Sequence, residues 1–355
     1  MCKFIKLLLL ILFFCIQVKA QNSDFAKAYA LFSDDKFSAA QALFHQLIVD
    51  DKTNEKANYY NAKCSKELFA SDALFLYDQF IASFPYTSFL QEVNKDLALL
   101  YYRDLDYPKA INYFLQLKNL DQNPELIFKL AYANFSIDSL VDAQYYFSKL
   151  INVKSKYNAT ARYYSSCIAY QNGLYTKALN GFKYLIPDEQ FGSIIPYYIT
   201  QIYFFQQSYK KLITFASPLL ETVIPSRKAE VNRLLAEAYY RTEDFENAII
   251  NFTAYCEQVE QVNPIVNFLL GQSYFKSGEF ENAINYLEKI SGSSDSIGQY
   301  ASYSLGASYL KVQQFNYALQ AFKKSASYSY DKVVQEEAFY NYAKLSYQLD
   351  LPFDN

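Results

Sequence analysis

Few residues in this chain have types and spacing suited to catalysis. The only histidine is His45, beside Phe44 and two residues before Leu47, so no histidine pair exists to ligate zinc or relay a proton. No GxxxxGK[ST], GxGxxG or GxSxG segment occurs, which removes the common phosphate cradles and the nucleophile elbow. Acids such as Glu279 and Glu281 fall on outward helical turns, where charge forms a solvated face. No catalytic, cofactor-binding or metal-ligating residue is therefore expected, and the chain reads as non-enzymatic. Its net charge of −3 is also the wrong sign for gripping phosphate backbones, so nucleic acid is not an expected partner.

What the chain has instead is aromatic side chains: 36 Tyr and 30 Phe, with no Trp. They recur in a phrase. GQSYFKSGEFENAINYLEKI (271–290) returns as GASYLKVQQFNYALQAFKKS (306–325), with Gly271 over Gly306, Tyr274 over Tyr309, Phe280 over Phe315 and Ala283 over Ala318. The small residue of the last pair also recurs at Ala40, Ala73, Ala110, Ala143, Ala178 and Ala248, while Leu212 keeps the register with a larger side chain. The gaps run from 33 to 37 residues over nine units, the mark of a solenoid.

Each unit reads as two helices. In the eighth, Phe268, Leu269, Tyr274 and Phe275 precede a break at Gly278-Glu279. Phe280, Ala283, Ile284, Leu287 and Ile290 then paint one helical face. Pro85, Pro124, Pro196 and Pro264 fall between units or open a helix, and Pro108 opens a second helix. Pro218 falls inside a second helix and predicts a kink or an early end. A helix pair cannot bury both faces alone, so each needs a neighbour on either side.

These residues resemble the tetratricopeptide repeat (TPR). Leu270, Gly271, Tyr274, Gly278, Phe280, Ala283 and Leu287 fit its L-G-x-x-Y, G-x-Y-x-x-A-x-x-x-[YF] pattern, as do Leu305, Gly306, Tyr309, Phe315, Ala318 and Phe322. Gly173, Tyr175, Ala178 and Phe182 fit in unit five, and Leu235, Ala236, Tyr239, Phe245, Ala248 and Phe252 in unit seven. Leu31, Cys64 and Leu212 depart from it in units one, two and six. The resemblance covers about residues 24–355. It implies an all-α fold: a right-handed solenoid of antiparallel helix pairs, a TPR superhelix of about nine units plus an incomplete tenth.

The resemblance also implies that the first helix of each unit faces a concave groove. Two aromatic series would line it. One is Tyr102, Phe135, Tyr170, Phe204, Tyr240, Phe275 and Leu310, and the other is Lys95, Phe128, Tyr163, Tyr197, Arg233, Phe268 and Tyr303. Tyr102, Phe135, Tyr163, Tyr170, Tyr197, Phe204, Arg233, Tyr240, Phe268 and Phe275 are the candidate partner-binding residues, since aromatics and Arg dominate interface hot spots. Two readings stand at this point, because the family's consensus also favours aromatics here for packing. Arg233, Glu237 and Arg241 either fix a partner's carboxylate or pair with one another.

The first twenty residues differ in kind. Two lysines in MCKFIK precede the apolar run LLLLILFFCIQV, and Val18-Lys19-Ala20 offers small residues for cleavage before Gln21. Residues 1–20 read as a signal peptide, with Phe14 before Cys15 unsuited to a lipoprotein site. Cleavage would take Lys3, Lys6 and Lys19 and leave 30 basic against 36 acidic residues. Cys64, Cys167 and Cys256 would remain, in units too far apart for the ~7 Å that a disulfide spans. Asn134, Asn158 and Asn251 fit N-x-[ST] in or near predicted helices, and Asp138-Ser139-Leu140 and Asp295-Ser296-Ile297 resemble a bacterial O-glycosylation acceptor in predicted turns.

At the other end, Tyr347, Phe353 and Asn355 match Tyr274, Phe280 and Asn282, so the text stops in mid-unit and a TPR solenoid over 21–355 is expected to continue. The whole resembles the front of a long exported bacterial TPR protein. The leading expectation is a periplasmic or outer-membrane-associated scaffold in a Gram-negative cell. Its partners would be envelope proteins, held as a peptide or helix in the groove, with no cofactor and no transmembrane segment after cleavage. The alternatives are a glycan- or peptidoglycan-binding module, or the N-terminal region of a longer protein whose activity lies downstream.

Overall fold

The computed structural model describes residues 24–349. The signal-peptide reading of 1–20 and the match of Phe353 and Asn355 lie outside the described residues. Within them all regular structure is helical. The chain forms two compact units, the first ending at Ile168 and the second beginning at Ala169.

The first unit contains α1 (24–33), α2 (Phe37–Asp50), α3 (Glu55–Glu67), α4 (Ala73–Ser83), α5 (Leu90–Arg103), α6 (Tyr107–Leu115), α7 (Pro124–Ser136) and α8 (Leu140–Leu150). Helix α9 (Asn158–Gln171) spans the boundary. The second unit holds α10 (Tyr175–Tyr184), α11 (Ile195–Phe205), α12 (Tyr209–Ala216), α13 (Pro225–Arg241) and α14 (Phe245–Cys256). It continues with α15 (Pro264–Ser277), α16 (Phe280–Leu287), α17 (Ser296–Lys311), α18 (Phe315–Ala326) and α19 (Lys332–Gln348). Odd-numbered helices are the first of each pair and even-numbered ones the second.

Side-chain caps set where many helices start. Asn54, Asn123, Asn263, Asp295 and Asp331 accept backbone N–H groups at the starts of α3, α7, α15, α17 and α19, satisfying donors a helix leaves unpaired. Proline opens α7, α13 and α15. Pro218 acts as expected: α12 stops at Ala216, and Ser217–Thr222 continue as a tighter 3-10 turn.

The turn inside a pair is the most regular feature. Asp35, Phe69, Leu105, Asp138, Gly173, Gln207, Glu243, Gly278 and Gln313 all have positive φ, one in each of the nine pairs. The next residue's N–H reaches back five residues in every case, as in Lys36 to the Leu31 carbonyl and Gln314 to the Tyr309 carbonyl, each at 2.9 Å. This is a Schellman closure, and it favours glycine. Only Gly173 and Gly278 supply one; the other seven positions carry a side chain in the left-handed region.

Size matching across the pair locks the crossing. A Cβ on Gly271 would meet Leu287 Cγ at 2.8 Å, and one on Gly306 would meet Phe322 Cδ1 at 2.8 Å. The side chain one turn beyond Ala283 therefore crowds Gly271, rather than a bare approach of backbones. The same sixteen-residue offset joins Ala236 to Phe252 in the second unit, and Ala28 to Phe44, Ala98 to Phe114 and Ala131 to Phe147 in the first. In the Leu212 unit the pattern inverts: Leu212 occupies the small site, while Thr200 and Ala216 stand at the offset, all buried. Volume has moved one turn along the helix and been conserved.

In the second unit the first helices form a layer of their own, with α11 on α13, α13 on α15, α15 on α17 and α17 on α19. Second helices reach that layer by packing on the next first helix, as α14 does on α15 and α16 on α17. Helix α19 is a first helix with no second helix on it among the described residues. Tyr347, matched in sequence to Tyr274, is 86 % exposed, whereas Tyr309 is 6 % exposed beside α18.

Candidate functional site

The ten candidate residues are all half-buried. In the first unit, Tyr102 at the end of α5 lies within 5.8–6.4 Å of the rings of Tyr107, Phe114 and Tyr132. Lys129 Nζ stands 5.6 Å from its ring, and burial raises the Tyr102 hydroxyl pKa. Phe135 packs on Tyr132 and Tyr164, and Tyr163 on Tyr164. These three sit within a mesh of neighbouring rings.

In the second unit, Tyr170, Tyr197, Phe204 and Arg233 form a tied face. Tyr170 donates its hydroxyl to Gln201 Oε1 at 2.7 Å, and Gln201 Nε2 donates to the Tyr197 hydroxyl at 2.9 Å. Burial pushes the Tyr170 pKa up to about 12. The Arg227 guanidinium lies 4.7 Å from the Tyr197 ring centre, and that of Arg233 lies 6.0 Å from Phe204. Arg233 donates from Nε to Glu230 at 2.9 Å, from one terminal nitrogen to Glu230 at 2.7 Å, and from the other to Glu237. The hydrogen bonds to Glu230 raise its pKa above the ordinary guanidinium value. Of the two readings for the charged trio, Arg233 follows the pairing one: its donors are committed to acids of its own helix.

Beyond α13 the layer opens. A cleft of about 440 Å³ is lined by first-helix residues alone. Helix α13 contributes Tyr240, and α15 contributes Phe268, Gln272, Phe275 and Lys276. Helix α17 adds Tyr300, Tyr303 and Ser304, and α19 adds Glu337. The buried Gln272 Nε2 donates to Ser304 Oγ at 2.5 Å, joining α15 to α17. Tyr240 and Phe275 each meet the opening aromatic of their second helix edge-on, Phe245 at 5.9 Å and Phe280 at 5.8 Å. Phe268 packs against two adjacent core clusters, so it is held from both sides.

Nine left-handed closures, small-on-large matching at a sixteen-residue offset and a separate first-helix layer now stand together. The fold is that of the tetratricopeptide repeat. Among solved structures this chain is similar to the TPR domain of P58(IPK), at 16 % identity over 93 % of this chain and 99 % of that one, TM-score 0.31. It is also similar to the C-terminal part of a TPR protein from Cytophaga hutchinsonii, at 19 % identity over 70 % and 93 %, TM-score 0.43. A TPR protein from Parabacteroides merdae ATCC 43184 is similar at 16 % identity over 72 % and 99 %, TM-score 0.40. No protein-family model matches the chain, and no curated protein does.

Three of the ten candidates, Tyr240, Phe268 and Phe275, meet in the TPR cleft. Tyr300, Gln272, Lys276, Ser304 and Glu337 were not anticipated. Gln272 and Lys276 lie one turn and two turns past Phe268, so the helical period was the signal that could have found them.

Other polar groups are structural. In the first unit Asp96 is 4 % exposed, salt-bridged to Lys66 Nζ at 2.6 Å and hydrogen-bonded by the Tyr77 hydroxyl at 2.7 Å, which fixes α3, α4 and α5 together. His45 is exposed. No group of three or more His, Cys, Asp or Glu among the described residues has metal-site geometry. Cys64, Cys167 and Cys256 form no disulfide, and burial pushes the Cys64 thiol up to about 12. Asn134 is buried and donates to the Leu130 carbonyl at 2.8 Å, which closes it to a glycan, whereas Ser296 is exposed.

Proposed function

We propose that this TPR chain is a non-catalytic scaffold that binds protein through the α13–α19 face. The observation that carries the reading is the cleft itself: Phe268, Phe275 and Tyr240 are held firmly yet border open volume. Aromatics fixed before binding lose little entropy on docking, which is what interface anchors require. No described helix is long and apolar enough to cross a membrane. The sequence of residues 1–20 supports export, and with it a partner in the bacterial envelope, periplasmic or at the outer membrane.

The test is crosslinking capture from an envelope fraction, with the mature chain beside a Phe268→Ala/Phe275→Ala variant. A protein held by the first and lost by the second supports the scaffold. Equal capture by both places binding elsewhere and overturns it. N-terminal sequencing of the exported chain checks the cleavage after Ala20. A second reading, glycan binding, draws on Tyr240, Tyr300 and Tyr303 around one cleft, since tyrosines stack on sugar rings. Capture of glycan fragments alone, lost in the same variant, would favour it.

A further inference from the structure

The cleft is electrically polar. On its α15 side Lys276 is exposed and makes no ion pair within 4 Å among the described residues. On its α17–α19 side Tyr303 and the exposed Glu337 both line the cleft, and the Tyr300 hydroxyl donates to Asp331. Among the described residues neither Glu337 nor Asp331 has a cationic partner within 4 Å. The apolar rings of Phe268 and Phe275 share the α15 side with Lys276, and the buried Gln272 joins that side to Ser304 of α17.

We infer that the cleft docks an extended peptide segment of a partner protein carrying an acidic residue close to an apolar anchor at one end and a basic residue at the other. The acidic residue meets Lys276. The basic residue meets Glu337 and Asp331, its stem against the faces of Tyr300 and Tyr303, where a cation gains from both rings and carboxylates. The apolar residue fills the space over Phe268 and Phe275. Helices α15 and α19 stand two first-helix spacings apart, roughly 18 Å at ~9 Å each, so about five or six extended residues separate the two charges. Opposite charges at the two ends also fix which way the segment runs, because reversing it sets like charges together. The inference rests on the scaffold reading, and the test separates the two.

The experiment pans random peptides of about twelve residues, long enough at ~3.3 Å per residue to cross the cleft, against three forms of the mature chain. These are the wild type, the Lys276→Glu/Glu337→Lys charge reversal and Phe275→Ala, each checked for native helicity. The expected wild-type enrichment is an acidic residue close to an aromatic or Leu, with a basic residue at the other end, in one fixed order. The charge reversal should select the opposite order and weaken the wild-type peptide by roughly tenfold, most strongly at low salt. Apolar peptides without charge order, lost in Phe275→Ala, would overturn the polarity and leave the scaffold standing. Enrichment indifferent to all three forms, or none at all, would overturn both.

Discussion

Two stretches of the same helix layer meet at α13 and differ in what their aromatics can do. On the α11–α13 side, Arg233 covers Phe204 and spends its donors on Glu230 and Glu237, while Gln201 ties Tyr170 to Tyr197. On the α13–α19 side, Tyr240, Phe268 and Phe275 sit at the same repeat registers, yet they border a cleft whose Lys276 is unpaired among the described residues. The repeat therefore supplies an aromatic at a position without deciding its use. What differs is the polar residue beside it: Arg233 pairs with two acids over Phe204, whereas Lys276 lines the open cleft.

Arg233→Ala attacks that difference most directly. It would leave Glu237, whose side chain is 14 % exposed, without its cation, and it would uncover Phe204. Breaking a pair this deeply set costs about 2–3 kcal/mol, somewhat below the fully buried case. Thermal unfolding should show a clear drop for Arg233→Ala and almost none for Lys276→Ala, whose cation has no partner to strand. Equal stability of the two variants would remove the physical basis of the comparison.

Gly306→Val comes next. Its side chain would enter the Phe322 ring and force α18 off α17, one wall of the cleft, for about 1–3 kcal/mol of overpacking. Chemical denaturation should show the loss, and Phe322→Leu should recover part of it if ring volume is the cause.

The turns offer a smaller pair of opposite sign. Gln313→Gly relieves a left-handed side chain and should stabilise by about 0.5 kcal/mol after the added chain entropy, whereas Gly278→Ala should cost about 1 kcal/mol. Gln313→Gly should leave binding at the cleft unchanged, separating stability from function.

The smallest effect is in pH. Burial raises the Glu237 pKa above its ordinary 4.5, against the pull of Arg233. The folded state then holds that proton more tightly than the unfolded chain. The linked stability is full below 4.5 and is lost as pH rises through the elevated folded value. Glu237→Gln should flatten the melting temperature across that window, and an unchanged slope would assign the pH dependence to other groups.

Much of the fold was legible because the repeat writes local physics: the small residue, the aromatic opening the second helix and the proline that stops α12 are each decided within one helix pair. The seven side chains at positive φ were not, because the Schellman closure is imposed by the crossing of two helices even where no glycine relieves it. The tied face was partly visible, since Glu230, Arg233 and Glu237 fall at helical spacing, but their cover over Phe204 of the preceding pair was not. Lys276 and Glu337 line one cleft across two repeats, and no period within a single unit brings them together.

The central claim is that the open stretch binds and the tied stretch does not. Isothermal titration of one captured partner segment against Phe275→Ala and Phe204→Ala tests it in a single comparison. Truncating an anchor costs at least ~1.4 kcal/mol, so Phe275→Ala should weaken binding about tenfold or more, with Phe204→Ala within about twofold of wild type. A larger loss from Phe204→Ala, or equal losses from both, would contradict it.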